Sequence, residues 1–328
     1  MVVVTGAPGH LGNNLVRALL KAGARIRAMA LPGESLVSLK GLDVEVVEGD
    51  VRDISFLCRA FDGAETVYHL ASVISLTPGH WNLLEEVNVR GTRNVAEACL
   101  KAGVRRLVYT SSIHALVEPP HGTVIDESTP CDPARIRTEY GKSKAMATLE
   151  VLEATSKGLD AVVVFPTGVI GPYDFRPSEA GQFILNFARR KIPARLEGGF
   201  DFVDVRDAAQ GHILAAERGR AGEKYILSGE WISVDQVMEE LSRATAVPVP
   251  HLRLGAGVAG ALASLAMLYS RASGKKPLLT RESVDILMSN SLVSSEKARR
   301  ELGYSPRPIR DTIRETVEWF KEAGLLER

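Results

Sequence analysis

The chain has 328 residues, of which 45% are apolar and 24% charged. That is enough apolar material for one large or two intimately joined domains with a packed core. Lys plus Arg and Asp plus Glu both number 40, so no net field directs the chain to nucleic acid or to an anionic membrane. Cys58, Cys99 and Cys131 are odd in number and far apart, a pattern that excludes a disulfide framework and a zinc or other metal site and suits the reducing cytoplasm.

Val2-Val3-Val4 reads as a first strand that runs straight into a glycine turn, so no secretory leader is expected. Further strand-like runs follow at Arg25–Ala30, Val44–Glu48, Thr66–Leu70, Arg106–Thr110 and Ala161–Phe165. Helical patterns separate them over Leu11–Ala22, Ile54–Phe61, Asn82–Lys101 and Thr138–Lys157, with Gly23 and Gly103 placed as helix-ending glycines. This alternation predicts an α/β fold, a Rossmann-type doubly wound parallel sheet with helices on both faces.

After Gly171-Pro172 the rhythm breaks into a loop–helix–loop excursion over 173–200. The chain is expected to rejoin the sheet region through Phe202–Asp207 and the helix after it, and from Glu230 onward it is mostly helical. The division that follows gives residues 1–171, with 201–228 returning, to a dinucleotide-binding domain. Residues 172–200 and 229–328 form a smaller, mostly helical substrate-capping region. Leu254–Ser270 carries no charge but falls short of the roughly 20 residues that span a bilayer, and reads as a buried or half-buried helix.

Thr5-Gly6-Ala7-Pro8-Gly9-His10-Leu11-Gly12 joins the first strand to the first helix. Gly6 permits the tight turn, Gly9 lets a pyrophosphate approach the backbone, and Gly12 lets helix and sheet pack closely. Amides of His10, Leu11 and Gly12 at the helix start point at the anion. Asp50, followed by Val51, lies after the third strand, where a carboxylate accepts from the adenine amino group; Asp53 fits helix capping better. Leu70, Ala71 and Ser72 end the fourth strand at the carboxyl edge, where small residues let backbone approach a ribose. His69 reads as a satisfied strand residue. The end of the second strand, Ala30-Leu31, has neither the acid that binds a ribose 2′-hydroxyl nor the arginine that accepts a 2′-phosphate. The cofactor is therefore NADP or NAD, and the lack of a repelling carboxylate favours NADP.

Tyr140-Gly141-Lys142-Ser143-Lys144 puts a phenol and an ammonium one helical turn apart on the same face. A free tyrosine, with a pKa of about 10, is a poor base near neutrality. A neighbouring ammonium and a nicotinamide cation favour its phenolate. Tyr140 is then placed to pass a proton to a carbonyl oxygen, or to take one from an alcohol, as hydride moves. Lys144 also holds the nicotinamide ribose. Ser112, in Thr110-Ser111-Ser112 just past the fifth strand, donates a hydrogen bond to the same oxygen.

Taken in order, Thr5–Gly12, Asp50-Val51, Leu70-Ala71, Asn88–Thr92, Ser111-Ser112, Tyr140–Lys144, Pro166–Pro172 and Lys297–Pro306 resemble the extended short-chain dehydrogenase/reductases, the epimerase/dehydratase superfamily. The likeness covers almost the whole chain. Arg105–Ser112 and Pro166–Pro172 are most similar to the dihydroflavonol 4-reductase and 3β-hydroxysteroid dehydrogenase-like branch. The resemblance implies catalysis by Ser112, Tyr140 and Lys144. It also implies a cofactor site that includes Thr110, with Pro166 and Val169 bordering the nicotinamide. A homodimer built through Asn82–Lys101 and Thr138–Lys157 is implied as well. Two positions depart from the reductases: Leu31 stands where their NADP-binding arginine is usual, and Ser38 where a second basic residue is expected.

Ile113, His114, Tyr173 and Phe175 follow motif elements that end near the nicotinamide, and are candidate walls for a small-molecule substrate; His114 suits a structural role equally. An apolar roof from Leu254–Ser270 favours a lipophilic ketone or aldehyde. The neighbouring reading is a nucleotide-sugar epimerase or dehydratase with tightly bound NAD. The Arg-x-x-Asn usual before the final turn of that branch is missing from Val162–Pro166. Arg176, Arg189, Arg190, Lys191 and Arg195 suit either a diphosphate clamp or a solvated helix end. A non-catalytic NADP-binding sensor is the third reading, and the intact Ser112, Tyr140 and Lys144 set opposes it.

Overall fold

A computed structural model describes residues 1–75, 78–255, 257–263 and 280–326. The first half alternates as its apolar runs require: β1 (Val2–Thr5), α1 (His10–Lys21), β2 (Ile26–Ala30), β3 (Glu45–Glu48), α2 (Ile54–Ala60) and β4 (Thr66–His69). Then come α3 (Trp81–Leu84), a π-helical turn over Glu85–Arg90, α4 (Gly91–Lys101), β5 (Arg106–Thr110), α5 (Glu139–Ser156) and β6 (Ala161–Pro166). With β10 (Lys224–Leu227) these strands make one seven-stranded sheet, ordered β10-β6-β5-β4-β1-β2-β3. All its pairings are parallel, with Val3 opposite Arg27 of β2 and Val67 of β4.

Parallel strands covered on both faces need unbroken apolar runs, and Val162, Val163 and Val164 of β6 are all fully buried. One face packs against α2, α4 and α5 through Leu57, Val95, Cys99 and Val151. The other packs against α1 and α7 (Val205–Arg218) through Leu15, Leu19, Ala208 and Ile213. One edge of the sheet, β10, is closed by charged side chains. The Glu127 carboxylate accepts from the Ile226 amide at 2.8 Å, and Lys297 Nζ donates to the Lys224 carbonyl at 2.9 Å.

Two features differ from the sequence expectation. The run Asn82–Lys101 is not one α-helix but is interrupted by the π-helical turn, which apolar spacing does not reveal because one wide turn barely moves the stripe. The return through Phe202–Asp204 enters a second sheet instead of the large one. β7 (Gly168–Ile170), β9 (Gly199–Asp204) and β11 (Glu230–Ser233) form that three-stranded sheet, and the large sheet is rejoined later, by β10. The alternating Phe200 and Phe202 of β9 suit a short strand with one apolar face.

A third core lies beyond this sheet. Ile184 and Phe187 of α6 (Glu179–Ala188), Met238 and Leu241 of α8 (Val234–Thr245), and Ile313, Val317 and Phe320 of the helix Ile309–Glu322 are buried together. The described part of the uncharged run Leu254–Ser270 includes a helix over 257–263. It is half-buried: Ala259 and Ala263 pack with Val284, while Val258 and Leu262 face outward. Residues 256 and 264–270 of the run lie outside the described residues. Among the described residues no helix is long and apolar enough to cross a membrane.

Candidate active site

The glycine turn is shaped by backbone crowding. Gly6 has φ +67°, and a Cβ there would lie 2.7 Å from the Ala71 amide nitrogen, where β1 and β4 release their chains side by side. A Cβ on Gly12 would lie 2.2 Å from the Gly6 carbonyl oxygen. Both glycines are therefore obligatory for the close turn. Gly9 begins α1 with no side-chain cap, and the first turn holds no acidic residue, which leaves a positive helix end open to an anion. Below the turn, Thr5 Oγ1 accepts from the amides of Leu70 and Ala71. Its proton therefore goes to His69 Nδ1 at 2.8 Å, and His69 Nε2 donates to Thr92 Oγ1 at 3.0 Å. Burial pushes the His69 pKa down to about 3, so the ring is a neutral strut, satisfied as its strand position suggests.

His10 sits at the helix start, but its ring faces away from the turn. Nε2 donates to the carbonyls of Gly171 and Pro172 at 3.2 and 3.1 Å. Asn13 and Asn14 donate to the carbonyls of Tyr173 and Pro172. What His10 offers a ligand is its backbone amide. Leu11 and Ser72 are half-buried, and Val51 is buried against Gly91. Asp50 is bound by Arg52, with Nη2 to Oδ2 at 2.6 Å, and this guanidinium holds the carboxyl below its usual range. Asp53 caps α2 by accepting from the Phe56 amide. An uncapped helix end, a crowded glycine turn and small residues closing β4 fit a dinucleotide laid across the carboxyl edge of the sheet.

The second half of the site is built by β5 and α5. Thr138 caps α5, and Tyr140 and Lys144 lie one turn apart on its buried face. Lys144 is 3% exposed. Its Nζ donates to the Thr110 carbonyl at 2.6 Å and stands 4.6 Å from the centre of the Tyr109 ring. Burial pulls its pKa down to about 7. Burial likewise raises Tyr140 to about 12, opposed by the nearby Ser112 side chain. The sequence expectation that Lys144 favours the phenolate is thus outweighed in the protein alone: desolvation of both groups dominates. The pair is anchored from behind. Ser111 and Thr148 share a hydrogen bond of 2.7 Å, and Ser143 donates to the Tyr140 carbonyl.

Three supports were not visible in the sequence. Asn88, buried in the π-helical turn, exchanges two hydrogen bonds with the Val73 backbone and donates to Ser143. His212 of α7 donates through Nδ1 to the Ala208 carbonyl at 2.7 Å, so its Nε2 accepts from the Thr110 hydroxyl at 2.8 Å. Phe200 of β9 stacks on His114 at 5.7 Å and 22°. Only the packing of α7 behind β5 and the place of β9 in the second sheet could reveal the last two.

The substrate candidates separate. Ile113 and His114 lie in a 3₁₀ turn capped by Ser112, and His114 meets the Tyr140 ring edge-on at 6.4 Å. Burial pushes His114 down to about 4, so it is neutral near pH 7. Tyr173 is not brought to this group. Its backbone is left-handed, at φ +64°, and its ring lies among Phe175, Trp319 and the Arg17 guanidinium. Pro166 is buried at the end of β6, and Val169 is half-buried in β7. Of the five basic candidates, Arg176 pairs with Glu34, Arg195 with Asp235, and Arg189 donates to the Leu325 carbonyl. Arg190 and Lys191 are exposed past the end of α6.

Residues 2–228 match the model of the NAD dependent epimerase/dehydratase family. Sterol demethylase protein B of Methylococcus capsulatus is 37% identical over 99% of both chains. A putative dihydroflavonol 4-reductase of Synechocystis sp. is 34% identical over 99% of this chain and 95% of its own. The crystal structure of gox2253 superposes with a TM-score of 0.87 at 35% identity, covering 100% of this chain and 99% of that one. The matched fold, the ordered motifs and these relatives agree, and the chain belongs to the NAD-dependent epimerase/dehydratase family, the extended short-chain dehydrogenase/reductases.

Proposed function

We propose that this chain is an NAD(P)-dependent oxidoreductase that reduces a ketone or aldehyde of an apolar small molecule, or oxidises the matching alcohol. The observation that carries the reading is buried Tyr140, one turn from Lys144 on α5, with the His114 ring edge-on to it and stacked on Phe200: a proton donor set on an aromatic wall. A nicotinamide dinucleotide bound along the carboxyl edge supplies or takes up the hydride. The chain's own residues handle the oxygen. In reduction, Tyr140 gives its hydroxyl proton to the substrate oxygen, and Ser112 donates a hydrogen bond to the same atom. Lys144 fixes the Thr110 carbonyl, keeps the end of β5 against α5, and is placed for the ribose hydroxyls of the cofactor. Thr110, Leu70, Ala71, Pro166 and Val169 complete the cofactor side; Ile113 and His114 face the substrate.

In this reading residues 1–171 and 201–228 hold the cofactor, while 172–200 and 229–328 cover the substrate. The two relatives' names point to ring-fused, lipophilic substrates, in keeping with the aromatic wall. Dimerisation through the helical runs 82–101 and 138–157 is part of the proposal, supported by Leu83 and Leu149, one in each run, which are both 43% exposed. Light scattering checks it, and a mass near 35 kDa would contradict it.

The test is a panel of sterol-like, aromatic and small aliphatic ketones, with UDP- and dTDP-sugars alongside, run with NADH and NADPH. Loss of reduced-cofactor absorbance on an apolar ketone is the expected result. Conversion of a nucleotide sugar with no net absorbance change, and no turnover of ketones, would establish an epimerase instead. Tight cofactor binding with no turnover across the panel would favour a sensor.

A further inference from the structure

The choice between NAD and NADP is vacant at Ala30 and Leu31, but the fold brings a third residue to the same place. The Leu31-Pro32-Gly33-Glu34 segment closes a tight turn directly after β2. The Glu34 amide donates to the Leu31 carbonyl at 2.9 Å, and Gly33 has φ +77°. Pro then Gly at the turn's centre is the type II pattern. The turn folds the Glu34 side chain back over the strand end, where Oε2 accepts from the Leu31 amide at 3.2 Å. The other carboxylate oxygen, Oε1, is held by Arg176, which comes from the segment after Pro172.

We infer that Glu34, clamped by Arg176, is the residue that selects NAD over NADP. The inference rests on the dinucleotide reading of the site. In doubly wound folds the adenosine ribose lies at the carboxyl end of the second strand, and an acid there accepts from its 2′-hydroxyl. The Glu34 carboxylate has lone pairs beyond the two contacts described, enough to take a hydroxyl proton. A 2′-phosphate at the same place would bring a charge of like sign against it. The two arginines that contact this turn and its continuation are engaged. Arg176 is paired with Glu34. Arg17 lies on the Tyr173 ring at 4.3 Å and donates to the Ser38 carbonyl and to Asn13. Ser38, where a basic residue was expected, is buried and donates to the Pro8 carbonyl. The premise that favoured NADP, an end of β2 without a carboxylate, is removed by the turn.

The experiment is calorimetric titration of the whole protein with ADP-ribose and with 2′-phospho-ADP-ribose, which carry the selecting group without the nicotinamide. Wild type is expected to prefer ADP-ribose by at least about tenfold, the worth of one charged hydrogen bond. Glu34→Gln should weaken ADP-ribose by about the same factor and bring the two ligands to within roughly threefold of each other. Arg176→Met should keep the preference. Equal or tighter binding of the phosphorylated ligand by wild type would overturn the assignment. So would unchanged ADP-ribose affinity in Glu34→Gln, or a preference for the phosphorylated ligand that Arg176→Met abolishes. Failure of both ligands to bind would bring down the dinucleotide reading itself. Firm ADP-ribose binding that ignores Glu34 would remove the selection alone.

Discussion

The end of β5 and the end of β2 both face the proposed cofactor, yet they are made on opposite plans. At β5 the working groups are inside: Ser112, Tyr140 and Lys144 are each less than a tenth exposed, and their polar partners belong to the protein. At β2 the working pair reaches into water: the Glu34 side chain is 17% exposed, its Arg176 partner 53%, and the neighbouring Leu31 50%. Desolvation therefore rules the first region and moves proton affinities far from their ordinary values. The second is ruled by charge across solvent, where an ion pair steers a ligand and contributes little to folding.

The sharpest way to break this contrast is Tyr140→Phe. It keeps the ring in its buried slot and removes only the hydroxyl, so turnover should fall about 10²- to 10⁴-fold with ADP-ribose binding unchanged in a titration. Near-normal turnover would sink the proton relay. Lys144→Met should also disable turnover and weaken NADH binding. At pH 7 it should raise the melting temperature at the same time. A buried lysine drawn down from 10.5 to about 7 binds fewer protons than the unfolded chain between those values, so it costs stability below that window. Loss of both activity and stability would mean that burial of the ammonium is not the governing term.

A third measurement concerns the buried histidines. His69 and His212 are held at about 3 and about 4, against 6.5 unfolded. The folded form binds fewer protons in that window. Stability from these rings is fully present above about pH 6.5 and is lost as pH falls toward 4. Each is expected to cost about 2 kcal/mol by pH 5. Urea midpoints measured at pH 8, 7, 6 and 5 check this, and a flat profile would contradict it. The smallest effect belongs to the β2 turn. Glu34→Gln should change stability by no more than about 1 kcal/mol, because the Arg176 partner stands half in solvent; a larger drop in the urea midpoint would show the pair to be structural.

What was legible in the sequence was local. The glycine turn, the strand–helix alternation and the Tyr140–Lys144 pair are fixed by spacing within one turn or one strand–helix unit, so composition and period reveal them. The hidden parts are contacts between distant segments. His212 reaches Thr110 only because α7 crosses behind β5, and Phe200 reaches His114 only because β9 belongs to the second sheet. The π-helical turn that aims Asn88 at Val73 and Ser143 changes hydrogen bonding without changing the apolar stripe. Glu34 is an intermediate case. Leu31-Pro32-Gly33-Glu34 is a readable turn, but reading it as a cofactor determinant requires knowing that the turn doubles back on β2.

The charged closure of β10 bears on how copies of this chain behave in a crowded solution. The last strand of an open sheet normally offers a row of unused amides and carbonyls on which another chain can crystallise its own strand. Here the outward amide of Ile226 is taken by a carboxylate and the outward carbonyl of Lys224 by an ammonium. An incoming strand would have to evict both and strand two charges in a dry ladder. The sheet therefore stops growing at its β10 edge, and resistance to strand addition there is written into two side chains that take no part in the chemistry.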